Sequence, residues 1–184
     1  MTIKKAIWLC YLLSLIVVYS GIFLSAYLWG DFDWSYNAIS DLGTKEKTAM
    51  IFNTSLILGG LLFAVFGGFL LKLVDEFPEQ NLAVNIVLAG ISLLFVGVFP
   101  SSSVRGVHIL FALLYFFFLL VIMTNIFTIY HLKKLKIQCF SFASIFIFII
   151  SGLLYSYIGL ATSEIISSTL AVINIFVYLY IFHR

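Results

Sequence analysis

Apolar residues along this chain neither alternate with polar ones nor mark a single helix face. They run in blocks of about twenty, separated by short polar clusters. A helix that crosses a bilayer needs about 20 predominantly apolar residues. The pattern predicts six, over about residues 6–28, 49–71, 82–99, 107–130, 138–160 and 164–182. Membrane-spanning strands would need alternating stretches of about ten residues, and "FALLYFFFLLVIM" does not alternate. The first block follows Lys4 and Lys5, as a signal peptide would. It is too long for a secretory h-region, and "FLSAYLWG" offers no small-x-small cleavage site, so it is read as a helix.

Composition makes the class firm. The 184 residues are 63% hydrophobic and 10% charged, with mean hydropathy +1.17. Soluble domains run near 45–50% apolar with about 25% charged residues. The expectation is an all-α membrane fold: one six-helix transmembrane domain over residues 1–184. A net charge of +2 without a basic patch speaks against nucleic acid as a partner. Two cysteines, Cys10 and Cys139, exclude a disulfide framework and a cysteine zinc cluster. Nothing calls for a cofactor.

Lys/Arg asymmetry sets orientation. With the N-terminus inside, Lys4, Lys5, Lys72, Lys133, Lys134, Lys136 and Arg184 fall on inner segments. Only Lys45, Lys47 and Arg105 fall outside. Both termini are expected in the cytoplasm of a multi-pass protein of the cell membrane. Trp8, Tyr11, Tyr27, Trp29 and Trp34 sit where aromatic anchors belong.

Helices in lipid associate through close backbone contact and buried hydrogen bonds. Small residues four apart supply candidate seams: Gly60, Ala64 and Gly68; Asn85, Ala89 and Ser92; Gly152, Ser156 and Gly159; Ser167, Ala171 and Asn174. No ionisable residue lies at mid-membrane depth, which disfavours an ion-coupled carrier.

The polar chemistry collects at the outer ends. The first outer connection, about twenty residues around "YNAISDLGTKEKTAMIFN", is longer than ordinary turns and reads as a lid over the helix ends. It carries Asn37, Ser40 and Asp41, with Asn53 just inside the second helix. The next outer turn, "VFPSSSVRGVH", brings Arg105 and His108, and the last brings Glu164. These seven are the candidate binding residues. Pro100 ends the third helix, and Ser101, Ser102 or Ser103 is expected to cap the fourth. Asp41 and Arg105 suit an ion pair latching the loop onto the second outer turn, and His108 suits a hydrogen bond to the first loop. Ser40, Asp41 and His108 also supply the types for nucleophile, orienting carboxylate and base. One outer histidine makes no metal site.

"NAISDLG" ahead of "IFNTSLILGG", then "VGVFP" and a histidine opening the fourth helix, resembles the prokaryotic membrane family catalogued as domain of unknown function 998. The resemblance implies a six-helix bundle and no established activity. It carries over Asn37, Ser40, Asp41, Leu42, Gly43 and Asn53, then Gly97, Phe99, Pro100 and His108.

Three functions stand open. The outer cluster binds a lipid headgroup or partner in an accessory protein. Alternatively it is a lipid hydrolase or transferase using His108 and Asp41, or the chain is a structural subunit of a larger membrane complex. Membrane lipids, and other subunits of a membrane complex in the third case, are the partners these readings imply.

Overall fold

The computed structural model describes residues 2–183. Among them are seven α-helices and one 3-10 helix, and no strand. The helices are α1 (Ile3–Trp29), α2 (Ala49–Leu71), α3 (Phe77–Val98), α4 (Arg105–Leu132), α5 (Gln138–Leu153), α6 (Tyr155–Ile158) and α7 (Leu160–Phe182). The 3-10 helix, Ile39–Gly43, lies in the long first loop. Five helices, all but α5 and α6, are long and apolar enough to cross a membrane. Large apolar side chains such as Ile16, Phe23, Leu113 and Phe117 stand exposed on their flanks. In water that surface would be prohibitive; in hydrocarbon it is the expected one. The chain is a multi-pass membrane protein.

Helices α1 to α4 pack in sequence order, and α4 then meets both α5 and α7. The ring closes between α7 and α1 through tyrosine tips. Tyr11 Oη donates to the Val172 carbonyl (2.7 Å), and Tyr19 Oη bonds Thr169 Oγ1 (3.0 Å). Trp8 Nε1 donates to the His183 carbonyl (3.2 Å), which brings both ends of the chain to one end of the bundle. That end is called the termini end; the long loop, the α3–α4 turn and α6 form the lid end.

Two seams follow the small-residue logic. A Cβ on Gly60 would lie 2.5 Å from Leu94 N and 2.7 Å from Gly90 O, so α2 and α3 touch backbone to backbone. Ser151 Oγ bonds Ser167 Oγ (2.9 Å), and Ser163 Oγ donates to the Ser151 carbonyl (2.7 Å), joining α5 to α7. Other seam residues behave differently. Gly68 and Gly152 meet nothing, and Gly67 makes the contact expected of Gly68. Asn85 and Ser92 are buried but return their hydrogen bonds to their own helix.

Several boundaries depart from the pattern. Helix α3 begins at Phe77 rather than near 82, because Pro78 in its first turn needs no N–H partner and Glu79 suits the positive end. The fifth segment does not run to 160. It breaks at Leu154 and stops at Gly159, whose φ of +88° is open to glycine at little steric cost. The expected serine cap of α4 is absent: Val104 precedes the helix without a side-chain bond, and Ser103 Oγ donates to the Pro100 carbonyl (3.0 Å). The proline turn uses that hydroxyl before the helix can.

At the termini end the core is tightly filled. Ile7, Tyr11, Phe66, Leu70, Leu82, Ile122, Met123 and Tyr178 are all sealed from solvent. Lys133 donates to Glu79 (2.8 Å), lies 3.5 Å from Glu76 and sits over the Phe182 ring at 4.8 Å. The Glu79 hydrogen bond, helped by the charges of both glutamates, holds the Lys133 ammonium above the usual lysine range.

Candidate functional site

The lid end encloses a cavity of about 450 Å³. Its walls are mostly apolar, with Val18 and Ile22 from α1, Leu56 from α2, Leu93 from α3 and Ala112 and Leu119 from α4. Its polar lining includes Ser40 from the lid, His108 from α4, and Ser163 and Glu164 from α7. Four lining residues are also exposed on the flank: Ile109 (46%) and Leu113 (65%) on α4, Tyr155 (53%) on α6 and Leu160 (40%) on α7. The cavity therefore opens sideways between α4 and the α6–α7 corner, where a bilayer would lie.

The lid is held across the helix ends, over the cavity, by specific bonds. On one side Thr48 Oγ1 donates to the Leu42 carbonyl (2.6 Å) and Asn53 Nδ2 to the Gly43 carbonyl (3.1 Å). On the other, Ala161 N donates to the Asn37 carbonyl (3.2 Å), Thr162 Oγ1 to the Trp34 carbonyl (3.1 Å), and Ile39 N to Glu164 Oε2 (3.0 Å). Gly159 leaves room for this crossing, since a Cβ there would lie 2.5 Å from both Ser35 Cα and the Trp34 carbonyl. Leu42, fully buried, plugs the lid into a cluster with Ile22, Phe52, Leu56, Leu93 and Val96. Trp29, Phe32, Trp34 and Phe23 make a run of ring contacts beside it.

Of the seven candidate residues, three face the cavity: Ser40, His108 and Glu164. Asn37 and Asn53 build the lid. Asn37 Oδ1 accepts from Asp33 N (2.9 Å), and Asn53 clamps the 3-10 helix. Asp41 does the same from within, its Oδ2 accepting the Ala38 amide (2.9 Å) at the start of that helix. Arg105 is exposed at the first turn of α4. The expected Asp41–Arg105 latch is not formed, nor does any hydrogen bond join Asp41 to His108, among the described residues. A local amide reaches the Asp41 carboxylate first.

His108 is buried, and its Nδ1 lies 2.9 Å from the Phe99 carbonyl rather than from the first loop. A carbonyl only accepts, so Nδ1 carries a proton, and in the neutral form of the ring Nε2 is then the lone-pair nitrogen. The unwound end of α3 thus fixes the tautomer. Nε2 has no partner within the described chain. Sequence reasoning passed over Thr48, and it placed Gly159 in a helix seam rather than beneath the lid. Thr48 stands where a helix cap belongs, yet its hydroxyl points back to the lid.

A family model for proteins of unknown function, DUF998, matches residues 12–181. The chain belongs to that family. The match runs from α1 into the last turn of α7, so lid, cavity and both walls lie within the DUF998 region. Neither the curated proteins nor the solved structures include a match.

Proposed function

We propose that this DUF998 chain is a six-crossing protein of the cell membrane, termini inside, whose lid-end cavity binds an amphiphilic lipid as part of an accessory or binding role. The observation that carries the reading is the cavity's division: apolar walls, with Ser40, His108 and Glu164 brought to it from three separate elements. Ligand sites have this make-up, and about 300–1,000 Å³ is their usual size. Helix α5 alone, with 16 residues, spans about 24 Å at 1.5 Å per residue; with α6 it reaches about the 30 Å of a hydrocarbon core. That supports a sixth crossing, and the excess of Lys and Arg at the termini end supports its placement inside.

Lipid extracted from the purified protein and identified by mass spectrometry tests the reading. Ala112→Trp fills the cavity and is expected to abolish co-purified lipid, whereas Leu110→Trp, on the exposed flank of α4, keeps it. Equal lipid in both monodisperse variants would overturn the proposal.

A second reading, hydrolysis or transfer on a lipid, is favoured by one observation: His108, its ring oriented by the Phe99 carbonyl, and Ser40 line one cavity. In that reading the Phe99 carbonyl, rather than Asp41, orients the base. Release of product from a lipid ester, lost in His108→Ala but retained in Asp41→Asn, is its expected signature. Membership in a larger complex predicts instead a stoichiometric partner on native purification.

A further inference from the structure

Among the described residues, the polar end of the cavity offers acceptors and neutral hydroxyls but no lysine or arginine. Glu164 spends Oε2 on the Ile39 amide and has Oε1 to offer. His108 spends Nδ1 on the Phe99 carbonyl, which leaves Nε2 to accept in the neutral ring. The α7 hydroxyls that could donate are committed: Ser163 to the Ser151 carbonyl, Ser168 to the Glu164 carbonyl (2.8 Å), and Ser167 in its pair with Ser151. Ser40 and Tyr115 keep hydroxyls that serve either way. No lysine or arginine lines the cavity among the described residues, and Arg105 is exposed and outside it.

An anionic head placed here would lie against the Glu164 carboxyl with no lysine or arginine to offset its charge. Burying it would cost its hydration without return. A head that donates hydrogen bonds meets acceptors on three elements. The tail has its own path, because the lateral opening at Ile109, Leu113, Tyr155 and Leu160 gives onto the bilayer side. The volume suits one tail and falls well short of a two-chain phospholipid.

Resting on the lipid-binding reading above, we infer that the ligand is a single-tailed amphiphile from the bilayer whose head is an alcohol or amine, and that phosphate- and carboxylate-headed lipids are rejected. The head sits between Glu164, His108 and Ser40 beneath the lid, and the tail lies along the α4 stripe of Ala112, Phe116 and Leu119.

A tail-matched series tests this: 1-oleoylglycerol, oleylamine, oleate and oleyl phosphate, added to delipidated protein and measured by native mass spectrometry. The alcohol and amine are expected to bind about tenfold or more tighter than the two anions, the scale of one charge-assisted hydrogen bond. Glu164→Gln keeps an oxygen for the Ile39 amide. It is expected to remove the advantage of oleylamine over oleoylglycerol while leaving oleoylglycerol bound. If oleate or oleyl phosphate binds as tightly as the alcohol and amine, the head assignment is wrong and lipid binding itself stands. If none of the four binds and Ala112→Trp changes nothing, both readings fall.

Discussion

The two ends of the bundle solve the same packing problem in opposite ways. At the termini end, aromatic and branched side chains from all the long helices fill the space between them, and Lys133 closes it with two glutamates. At the lid end α2 still touches α1 at Gly21 and α3 at Gly97, but a cavity opens among α1, α4 and α7, and a loop shuts the top. Acid and base pair at one end; at the other, Asp41, Glu164 and Arg105 each look elsewhere. A membrane protein gains no hydrophobic drive from pressing helices together, so close packing must be built where stability is needed. Space can be left where it is not.

Truncations should expose this contrast most strongly. Phe66→Ala empties a sealed site between α1 and α2 and should cost about 3–5 kcal/mol, read as a lower thermal midpoint in detergent. Phe116→Ala, at a wall already open on one side, should cost much less. Equal losses would mean the lid end is as tightly packed as the other. Next comes the corner under the lid. Gly159→Ala forces a side chain into the Trp34–Ser35 backbone at φ +88° and should cost about 1–3 kcal/mol. Faster amide exchange confined to residues 31–48 would locate the damage; exchange raised equally at the termini end would contradict it.

A gentler probe acts on one bond. Glu164→Ala leaves the Ile39 amide without its acceptor, worth about 1–3 kcal/mol, while Glu164→Gln keeps an oxygen there. Protection of the Ile39 amide should vanish in the first variant and survive in the second. The smallest effect is a pH dependence at the opposite end. Burial lowers the His183 pKa, with the Lys4 and Lys133 charges adding to it against the opposing Glu79. As pH falls below about 6.5, the unfolded chain takes up a proton that the folded chain resists, so stability should decline with acidification. His183→Phe should flatten that slope and leave lid exchange unchanged.

Most of the bundle was legible in the chain because apolar blocks of span length have few other uses; α2 begins and ends where its block does. The Gly60–Ala64 face was legible for the same reason, since backbone contact demands small residues. The fifth segment was not, because its break depends on Gly159 crossing a loop that lies more than a hundred residues earlier. Ser40, His108 and Glu164 could be nominated from their types and their shared end of the bundle. Their partition could not. Asp41 looks like a partner for Arg105 by charge, but a backbone amide three residues away satisfies it first, and such local competition leaves no mark on composition. The cavity itself has no sequence signature: it is the gap left when α1 and α7 meet through tyrosine tips.

The long-range bonds of the lid also carry a consequence for the order of assembly. Trp34 and Ile39 find their partners in Thr162 and Glu164, 128 and 125 residues later. A chain emerging from the N-terminus places the lid segment outside the ribosome long before its partners exist. Through most of synthesis, only the contacts with α1 and α2 can hold it. The pocket is therefore among the last features to form, completed when the final helix inserts, and a truncated product lacking α7 would have helices without a closed site.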